Sequence, residues 1–367
     1  VDYCVKGAYT GSFDNEQPAP ISLINKNANI LELWHGPTCA FKDLALQLLP
    51  YLLTTSAKKV GKGRTVILVA TSGDTGKAAL EGFSDVENTD IIVFYPNNGV
   101  SPMQKLQMDS QKGENVHVCA IKGNFDDAQS GVKKIFTDSA VKETLSENNM
   151  LFSSANSINW GRLVPQIIYY ISAYCDMIAK GDDLSNGFNV VVPTGNFGNI
   201  LAAYYAKQMG VPMKKLICAS NENKVLFDFF RTGVYDRKRE FVLTSSPSMD
   251  ILVSSNLERL IYTCAGEDSD VNAELMRQLK EEGKYEITSE MKEKLADFAG
   301  GYATEAANAV LEFAKTQLHL QYVIAQCDWR NIASAKVMEK IGMRLIDETG
   351  SRTYVKREET ARELTYR

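Results

Sequence analysis

The sequence of 367 residues has no apolar run that approaches the roughly 20 residues that a helix needs to cross a membrane. It also lacks an excess of one charge. Lys and Arg number 40, Asp and Glu number 45, and the resulting net charge of −5 is spread without long runs. Nucleic acids and membrane surfaces are therefore not expected as partners.

Histidine is scarce, and the cysteines are not clustered. Only three histidines occur, and the seven cysteines are an odd number, widely scattered, with no C-x-x-C pair. This pattern predicts no metal site and favours reduced thiols in a cytoplasmic protein.

Strand-like and helix-like patterns alternate along the chain, which predicts an α/β fold with a largely parallel sheet. Two stretches share the order strand, glycine loop, helix. "TVILVAT" (65–71) runs into "SGDTG" (72–76), and "FNVVVPT" (188–194) runs into "GNFGN" (195–199). Free N–H groups at the start of such a helix favour an anion, although either loop alone could be an ordinary tight turn. Neither loop matches the motifs for nucleoside triphosphates or dinucleotides.

Lys42 stands in "HGPTCAFKD", between apolar flanks. Its charged head could reach solvent on an apolar stem, or its amine could be buried with a lowered pKa, as Schiff-base chemistry requires. Together with two anion loops, such a lysine suits a phosphorylated carbonyl cofactor with a second anionic ligand beside it.

A third polar stretch is "SSANSINWGRLVPQ" (153–166), which comes before an apolar helix. Ser and Asn are good N-cap residues, so a capping cluster is one interpretation. Uncharged donors with one arginine also suit a small polar substrate that bears carboxylate or phosphate groups.

Six segments together resemble the threonine synthases, pyridoxal-phosphate enzymes of the tryptophan-synthase-β-like fold (fold type II). They are "ELWHGPTCAFKD", "ATSGDTGKAA", "FYPNNGVSPMQKLQM", "SSANSINWGRLVPQ", "VVPTGNFGNILAAYYAK" and "SSPSMDILVSSNLERL". The resemblance covers roughly residues 1–300 and is strongest to the longer, bacterial and fungal branch. It implies pyridoxal 5'-phosphate as cofactor, and the conversion of O-phospho-L-homoserine and water to L-threonine and phosphate.

The resemblance also implies roles for individual residues. Lys42 matches the catalytic Schiff-base lysine. The loop for the cofactor phosphate comprises Gly195, Asn196, Phe197, Gly198 and Asn199. The residues implied in substrate binding are Ser72, Gly73, Asp74, Thr75, Ser154, Asn156, Asn159 and Arg162. We expect the "SGDTG" loop and the 154–162 cluster to lie around Lys42.

The C-terminus departs from that family, because no D-P-H-T-A-like string occurs. Residues 301–367 instead resemble the C-terminal half of a GNAT-family N-acetyltransferase, above all in "CDWRNIASAKVMEKIGM". The acetyl-CoA loop of that family survives only as 301–303, and Phe298 stands where Arg or Gln belongs.

We therefore expect a chimera that changes over at "GYATE" (301–305). Its body, 1–300, is truncated at the N-terminus and contains a smaller α/β subdomain at roughly 62–165, and its partial GNAT-like α/β tail is 301–367. A divergent tail is the alternative.

The tail pattern predicts a helix at 304–318, a strand at 322–327, a helix from about 331 that ends at Gly342, and a hairpin turn at 348–351. An acetyl-CoA-dependent acetyltransferase fragment and an inactive scaffold that binds the cofactor are the alternative functions.

Overall fold

The computed structural model describes residues 1–25, 28–61, 63–71, 73–97, 99–123, 125–242, 244, 247–302, 324–328, 335, 338–354 and 359–367. The chain divides into two compact units. Unit 1 comprises Val1–Pro20, Leu31–Asp182 and Gln208–Val211, and unit 2 comprises Ile21–Ile30, Asp183–Lys207 and Pro212–Arg367.

Helices and strands alternate along most of the chain, as the sequence pattern predicts. The helices are α1 (Asp2–Tyr9), α2 (Asp43–Leu46), α3 (Leu49–Lys59), α4 (Asp74–Phe83), α5 (Pro102–Asp109), α6 (Phe125–Thr137), α7 (Ser139–Glu147), α8 (Trp160–Ala179), α9 (Gly198–Gln208), α10 (Val225–Thr232), α11 (Leu257–Cys264), α12 (Ser269–Glu281) and α13 (Ser289–Lys294). The strands are β1 (Ile21–Asn25), β2 (Ala28–Leu31), β3 (Arg64–Ala70), β4 (Thr89–Pro96), β5 (Val116–Ile121), β6 (Met150–Ser154), β7 (Phe188–Pro193), β8 (Met213–Ser220), β9 (Val234–Asp236), β10 (Lys284–Glu286), β11 (Phe298–Tyr302), β12 (Ala325–Asp328), β13 (Leu345–Tyr354) and β14 (Glu359–Tyr366). None of the described helices is both long enough and apolar enough to span a membrane.

Unit 1 is built on a parallel sheet with the strand order β5-β4-β3-β6. The central strand β3 is buried on both faces, which is typical of a parallel sheet covered by helices on each side. Ile67 and Val69 pack into a core with Leu80 and Phe83 of α4. Val66 and its neighbours on the opposite face pack against α6. The "SGDTG" loop therefore lies at the C-terminal end of β3.

The parallel sheet of unit 2 has the order β11-β8-β7. Its last strand lies at the predicted changeover: Phe298 pairs with Leu216 and Tyr302 with Ser220. The Phe298 ring stacks on Phe230 with centroids 5.2 Å apart. The "FAGGY" segment is thus an integral strand of this sheet.

The described part of the tail forms an antiparallel sheet with the order β12-β14-β13. A small core joins it to the residues before Gly342, and its buried members are Ala335, Met338, Met343, Leu364 and Tyr366. Gly342 has φ +85°, the left-handed conformation that ends a helix, in agreement with the prediction. The predicted strand at 322–327 corresponds to β12, and the predicted helix at 304–318 lies outside the described residues.

The predicted hairpin turn at 348–351 is wrong. Strand β13 continues through these residues and pairs antiparallel with β14 as far as Tyr354, which lies opposite Glu359. The carboxylate of Asp347 accepts hydrogen bonds from the N–H and hydroxyl of Thr349, at 2.8 and 2.7 Å. The local turn signal therefore produces an irregularity in the strand register rather than a chain reversal.

Candidate active site

The loop before α2 is closed around a buried aspartate. Asp43 is fully buried, and its carboxylate accepts hydrogen bonds from the N–H and hydroxyl of Thr38 at 2.9 and 2.7 Å. A Cβ on Gly36 would lie 2.4 Å from the Asp43 side chain, so the loop can close only with glycine there. Burial raises the pKa of the Asp43 carboxyl. This closed loop fixes the backbone of the adjacent Lys42.

His35, at the start of the same loop, holds two carboxylates. Its Nδ1 lies 2.6 Å from Asp14 Oδ1, and its Nε2 lies 2.7 Å from Glu32 Oε2. Burial opposes protonation, but the hydrogen bonds to Glu32 and Asp14 outweigh it, and the pKa of His35 is raised. The imidazole thereby ties the 35–43 loop to the segment around residue 14. This role could not be predicted from the sequence.

The side chain of Lys42 is buried, with only 12% exposed. Its Nζ lies 3.2 Å from Asp74 Oδ2. Burial lowers the pKa of the amine; the negative charge of Asp74 opposes this shift, and the positive charge of Arg162 adds to it. Of the two interpretations of this lysine, the structure therefore supports the buried amine with a lowered pKa.

The "SGDTG" loop brings Asp74 to Lys42. Thr71 closes the loop, because its hydroxyl accepts hydrogen bonds from the N–H groups of Gly73 and Gly76, both at 2.9 Å. These two N–H groups are consequently already bonded within the protein. Asp74 and Thr75 form the first turn of α4, and Ser72 lies outside the described residues.

Most polar side chains of the 154–162 cluster form hydrogen bonds with other groups of the protein. The amide of Asn156 forms two hydrogen bonds with the backbone of Ala70. Its Nδ2 donates to the Ala70 carbonyl at 2.9 Å, and its Oδ1 accepts from the Ala70 N–H at 3.3 Å. Asn159 caps α8 by accepting from Gly161 N at 2.9 Å, and it donates to the carbonyl of Ser154 at 2.7 Å. The Ser154 hydroxyl accepts from Asn156 N at 3.2 Å. The capping interpretation therefore holds for Asn159.

Arg162 is the exception in this cluster. It is 2% exposed, and one of its terminal nitrogens donates to the carbonyl of Ala155 at 2.8 Å. Its buried Nε–H has no acceptor within the described part of the chain. Burial lowers the pKa of the guanidinium to about 10. A buried guanidinium with an unused donor is suited to an anionic ligand.

In unit 2, the "GNFGN" loop joins β7 to the N-terminus of α9. Phe197 has φ +67° and is buried against Phe230 and Phe298, with ring centroids 5.9 and 5.7 Å away. A Cβ on Gly195 would lie 2.2 Å from the carbonyl oxygen of Ser248. No acceptor for the N–H groups of residues 195–198 occurs within the described residues.

Residues for which the sequence suggested no individual role support this loop. The Ser254 hydroxyl donates to the carbonyl of Gly195 at 2.7 Å, and Asn256 Nδ2 donates to the carbonyl of Asn196 at 3.0 Å. Farther along the same segment, Asp250 accepts from Asn221 and Asn223 at 2.8 and 3.0 Å. The only sequence signal was the dense run of Ser and Asn in "SSPSMDILVSSN", which alone does not indicate partners.

Comparison with known proteins identifies the family. Residues 27–282 match the family described as "Pyridoxal-phosphate dependent enzyme". A crystal structure of PLP-bound threonine synthase from Brucella melitensis superposes with a TM-score of 0.76 at 38% sequence identity, and covers 92% of this chain and 70% of that one. The chain belongs to the threonine synthases of the pyridoxal-phosphate-dependent enzyme family.

Two relatives of this pyridoxal-phosphate-dependent enzyme are longer proteins. "Threonine synthase-like 1" of Macaca fascicularis is 45% identical over 310 residues, which are 82% of this chain and 42% of that protein. The threonine synthase of Pseudomonas aeruginosa is 44% identical over 277 residues, which are 76% of this chain and 57% of that protein. The chain therefore spans less than two thirds of either relative.

The C-terminal part of this pyridoxal-phosphate-dependent enzyme matches a second family. Residues 276–344 match the family described as "Acetyltransferase (GNAT) domain", which confirms the expected GNAT-like tail. The match begins within α12 and includes β11, the strand that pairs with β8. The proposed changeover at residue 301 remains a prediction.

The residues present fit the cofactor of this enzyme family. A buried amine with a lowered pKa is suited to bond an aldehyde. In unit 2, the N–H groups of residues 195–198, which have no acceptor among the described residues, are suited to a phosphate. The missing side chain at Gly195 allows this loop to pack closely against the carbonyl of Ser248.

Proposed function

We propose that the chain catalyses the threonine synthase reaction, in which O-phospho-L-homoserine and water give L-threonine and phosphate. The observation that carries this proposal is the buried Lys42 amine, which pairs with Asp74 at 3.2 Å and has a lowered pKa. Such an amine gives up its proton more readily than an ordinary lysine, as a nucleophile or general base must do.

In this proposal Lys42 bonds the cofactor, and the loop of residues 195–199 binds the cofactor phosphate. Bound pyridoxal phosphate would supply an electron sink for negative charge that develops on the substrate. The amine of Lys42 would accept and return the protons of the substrate Cα and Cβ. The carboxylate of Asp74 stabilises the amine while it holds a proton.

The substrate-binding residues in this proposal lie in two segments of unit 1. The first is the 72–75 segment, and the second contains Ser154, Asn156, Asn159 and Arg162. Arg162 binds an anionic group of the substrate, because its buried Nε–H lacks an acceptor among the described residues. Asn156 and Asn159 act mainly by shaping the site, since their amides already bond to Ala70, Gly161 and Ser154.

The test begins with an absorption spectrum of the purified chain with pyridoxal phosphate. We expect a band near the visible edge, and borohydride reduction should leave the cofactor bonded to the peptide that contains Lys42. Lys42→Ala should lose both signals. Lys77→Ala is the matched control, because Lys77 is similarly buried and paired with an acid, Glu81, on the same unit.

Incubation with O-phospho-L-homoserine should then release phosphate and threonine in equal amounts. Cofactor binding without any release would instead identify an inactive scaffold. Absence of the band, with Lys42 unmodified after reduction, would contradict the proposal.

A second function is favoured by the match of residues 276–344 to the acetyltransferase domain. Acetyl-CoA binding, measured by calorimetry in the absence of pyridoxal phosphate, would support it. Against it, Phe298 stacks on Phe230 in the core of unit 2, and so has a structural function at the place where the acetyltransferase loop requires Arg or Gln.

We also propose that the protein acts in the cytoplasm. The described cysteines include free thiols at Cys4, Cys218 and Cys264, all buried in the core. Burial raises the pKa of Cys218 to about 12 and of Cys264 to about 11, so these thiols are unreactive core residues. A protein with this thiol content suits a reducing compartment.

A further inference from the structure

Helix α5 begins with a capping box that fixes the side chain of Gln104. The hydroxyl of Ser101 accepts from Gln104 N at 3.2 Å, and Gln104 Oε1 accepts from Ser101 N at 3.2 Å. Because its oxygen is held at the helix N-terminus, the amide has one orientation, and its Nε2 donates to Asp74 Oδ1 at 2.6 Å.

The "SGDTG" loop is shaped to receive this amide. Gly73, immediately before Asp74, has φ +145°, and a Cβ there would lie 2.3 to 2.4 Å from the terminal atoms of Gln104. Glycine therefore allows the Gln104 amide to lie directly on the loop backbone. The contact joins two segments that are 30 residues apart in sequence.

The two oxygens of the Asp74 carboxylate have different partners. Oδ1 accepts from Gln104, and Oδ2 accepts from Lys42 Nζ. A carboxylate that bonded only to a lysine could rotate into solvent, since the Asp74 side chain is 30% exposed. We propose that Gln104 is a positioning residue, which holds the Asp74 carboxylate against the amine of Lys42. This inference rests on the proposed function, in which Lys42 is the catalytic residue.

The consequence concerns the proton affinity of Lys42. Three charged groups act on this amine: Asp74 on α4 and Asp43 on α2 favour its protonated form, and Arg162 on α8 opposes it. Of these, only Asp74 forms a hydrogen bond to the amine among the described residues. Without the hydrogen bond from Gln104, the Asp74 carboxylate is held less firmly against the ammonium. The amine then gives up its proton at lower pH.

The experiment measures the labelling of Lys42 as a function of pH in the full chain, freed of cofactor by hydroxylamine and dialysis. Trace acetic anhydride reacts only with neutral amines, and mass spectrometry of the Lys42 peptide gives the labelling midpoint. Gln104→Met should lower this midpoint by about 1 pH unit, because it weakens the influence of an opposite charge at contact distance. Gln107→Met, on the same helix one turn later, is the matched control and should leave the midpoint unchanged.

Gln104→Glu separates positioning from a merely structural role. Glutamate preserves the capping box, so α5 should still form. Its carboxylate would add a second negative charge beside Asp74 and should raise the midpoint, in the direction opposite to Gln104→Met. In the background of Asp74→Asn, Gln104→Met should add no further shift, because its effect passes through Asp74.

The proposal is overturned if Gln104→Met leaves the Lys42 midpoint unchanged, or shifts it equally with and without Asp74. The readout needs no cofactor and no turnover. A failure of the threonine synthase proposal would appear instead as missing cofactor attachment or missing phosphate release in the wild-type chain, with the labelling result unaffected.

Discussion

The amine of Lys42 and the carboxylate of Asp74 lie 3.2 Å apart in the interior of unit 1, where 12% and 30% of the two side chains are exposed. Burial and ion pairing act on this amine in opposite directions. The net result is a pKa below the ordinary 10.5, because burial is the larger effect. Burial thus makes the amine easier to deprotonate than an ordinary lysine, although Asp74 stabilises its charged form.

Replacement of Lys42 by Met should change how stability depends on pH. Because the folded pKa of the lysine is depressed, its contribution to stability is fully present above the unfolded value of 10.5, and is lost as pH falls through the folded pKa. Between these limits the unfolding free energy of the cofactor-free wild type should rise with pH relative to Lys42→Met. Urea unfolding at a series of alkaline pH values checks this, and parallel curves for the two proteins would contradict it.

Gly73→Ala should destabilise the protein and disturb the Gln104 contact. The backbone at φ +145° is strained for any side chain, and the added Cβ would lie 2.3 Å from Gln104. We expect a loss of about 1 to 3 kcal/mol in unfolding free energy. Gly131→Ala is the control: among the described residues, no atom outside the neighbouring backbone of its own helix lies within 4 Å of the added Cβ, and this helical position should gain about 0.5 to 1 kcal/mol. Equal stability of the two variants would contradict the prediction.

Arg162→Met should separate stability from anion binding. The substitution removes a buried guanidinium that has no acid partner within hydrogen-bond distance among the described residues. Unfolding free energy without ligand should thus be retained or increased. Binding of O-phospho-L-homoserine should weaken by about tenfold to a hundredfold, as expected when a charge-assisted hydrogen bond is lost.

Calorimetry with the substrate and with inorganic phosphate measures this loss of affinity. Arg64→Met provides the matched control, because the Arg64 guanidinium is already paired with Asp90. Unchanged affinity in Arg162→Met would exclude the arginine as an anion ligand.

Asn159→Ala should act through the helix rather than through a ligand. The side chain caps α8 by accepting from Gly161 N. Loss of such a cap costs about 1 kcal/mol of stability. Asn159→Ser keeps an acceptor for the cap but loses the donor to Ser154, and should recover part of the loss. A large fall in substrate affinity with unchanged stability would instead identify Asn159 as a direct ligand.

Ser254→Ala should weaken cofactor binding without any change in unit 1. Its hydroxyl donates to the carbonyl of Gly195 at 2.7 Å, and the loss of this hydrogen bond should leave that part of the 195–199 loop less ordered. The effect should be about 1 kcal/mol, or roughly a fivefold rise in the dissociation constant of pyridoxal phosphate, as measured by fluorescence titration. Ser255→Ala, whose hydroxyl lies 3.4 Å from Asn196 Oδ1, should have a smaller effect.

Much of the fold could be predicted from local sequence. Runs of β-branched residues followed by glycine loops and helix formers indicate strand, turn and helix, because these preferences act over a few residues. They correctly gave the parallel-sheet architecture and the strand-to-helix position of both loops. The prediction of a hairpin turn near Gly350 was wrong for a related reason. A local turn signal does not reveal whether strand pairing continues past it.

The sequence by itself determined that Lys42 stands between apolar flanks, that two glycine loops precede helices, and that a run of capping residues precedes an apolar helix. Only the tertiary structure decided which groups meet: that Asp74 pairs with Lys42, that Gln104 holds Asp74, and that the amide of Asn156 is taken by Ala70. The physical reason is that propensities and capping depend on neighbours along the chain. Burial, charge pairing and the pKa shifts that they cause depend instead on atoms brought together from distant segments by packing.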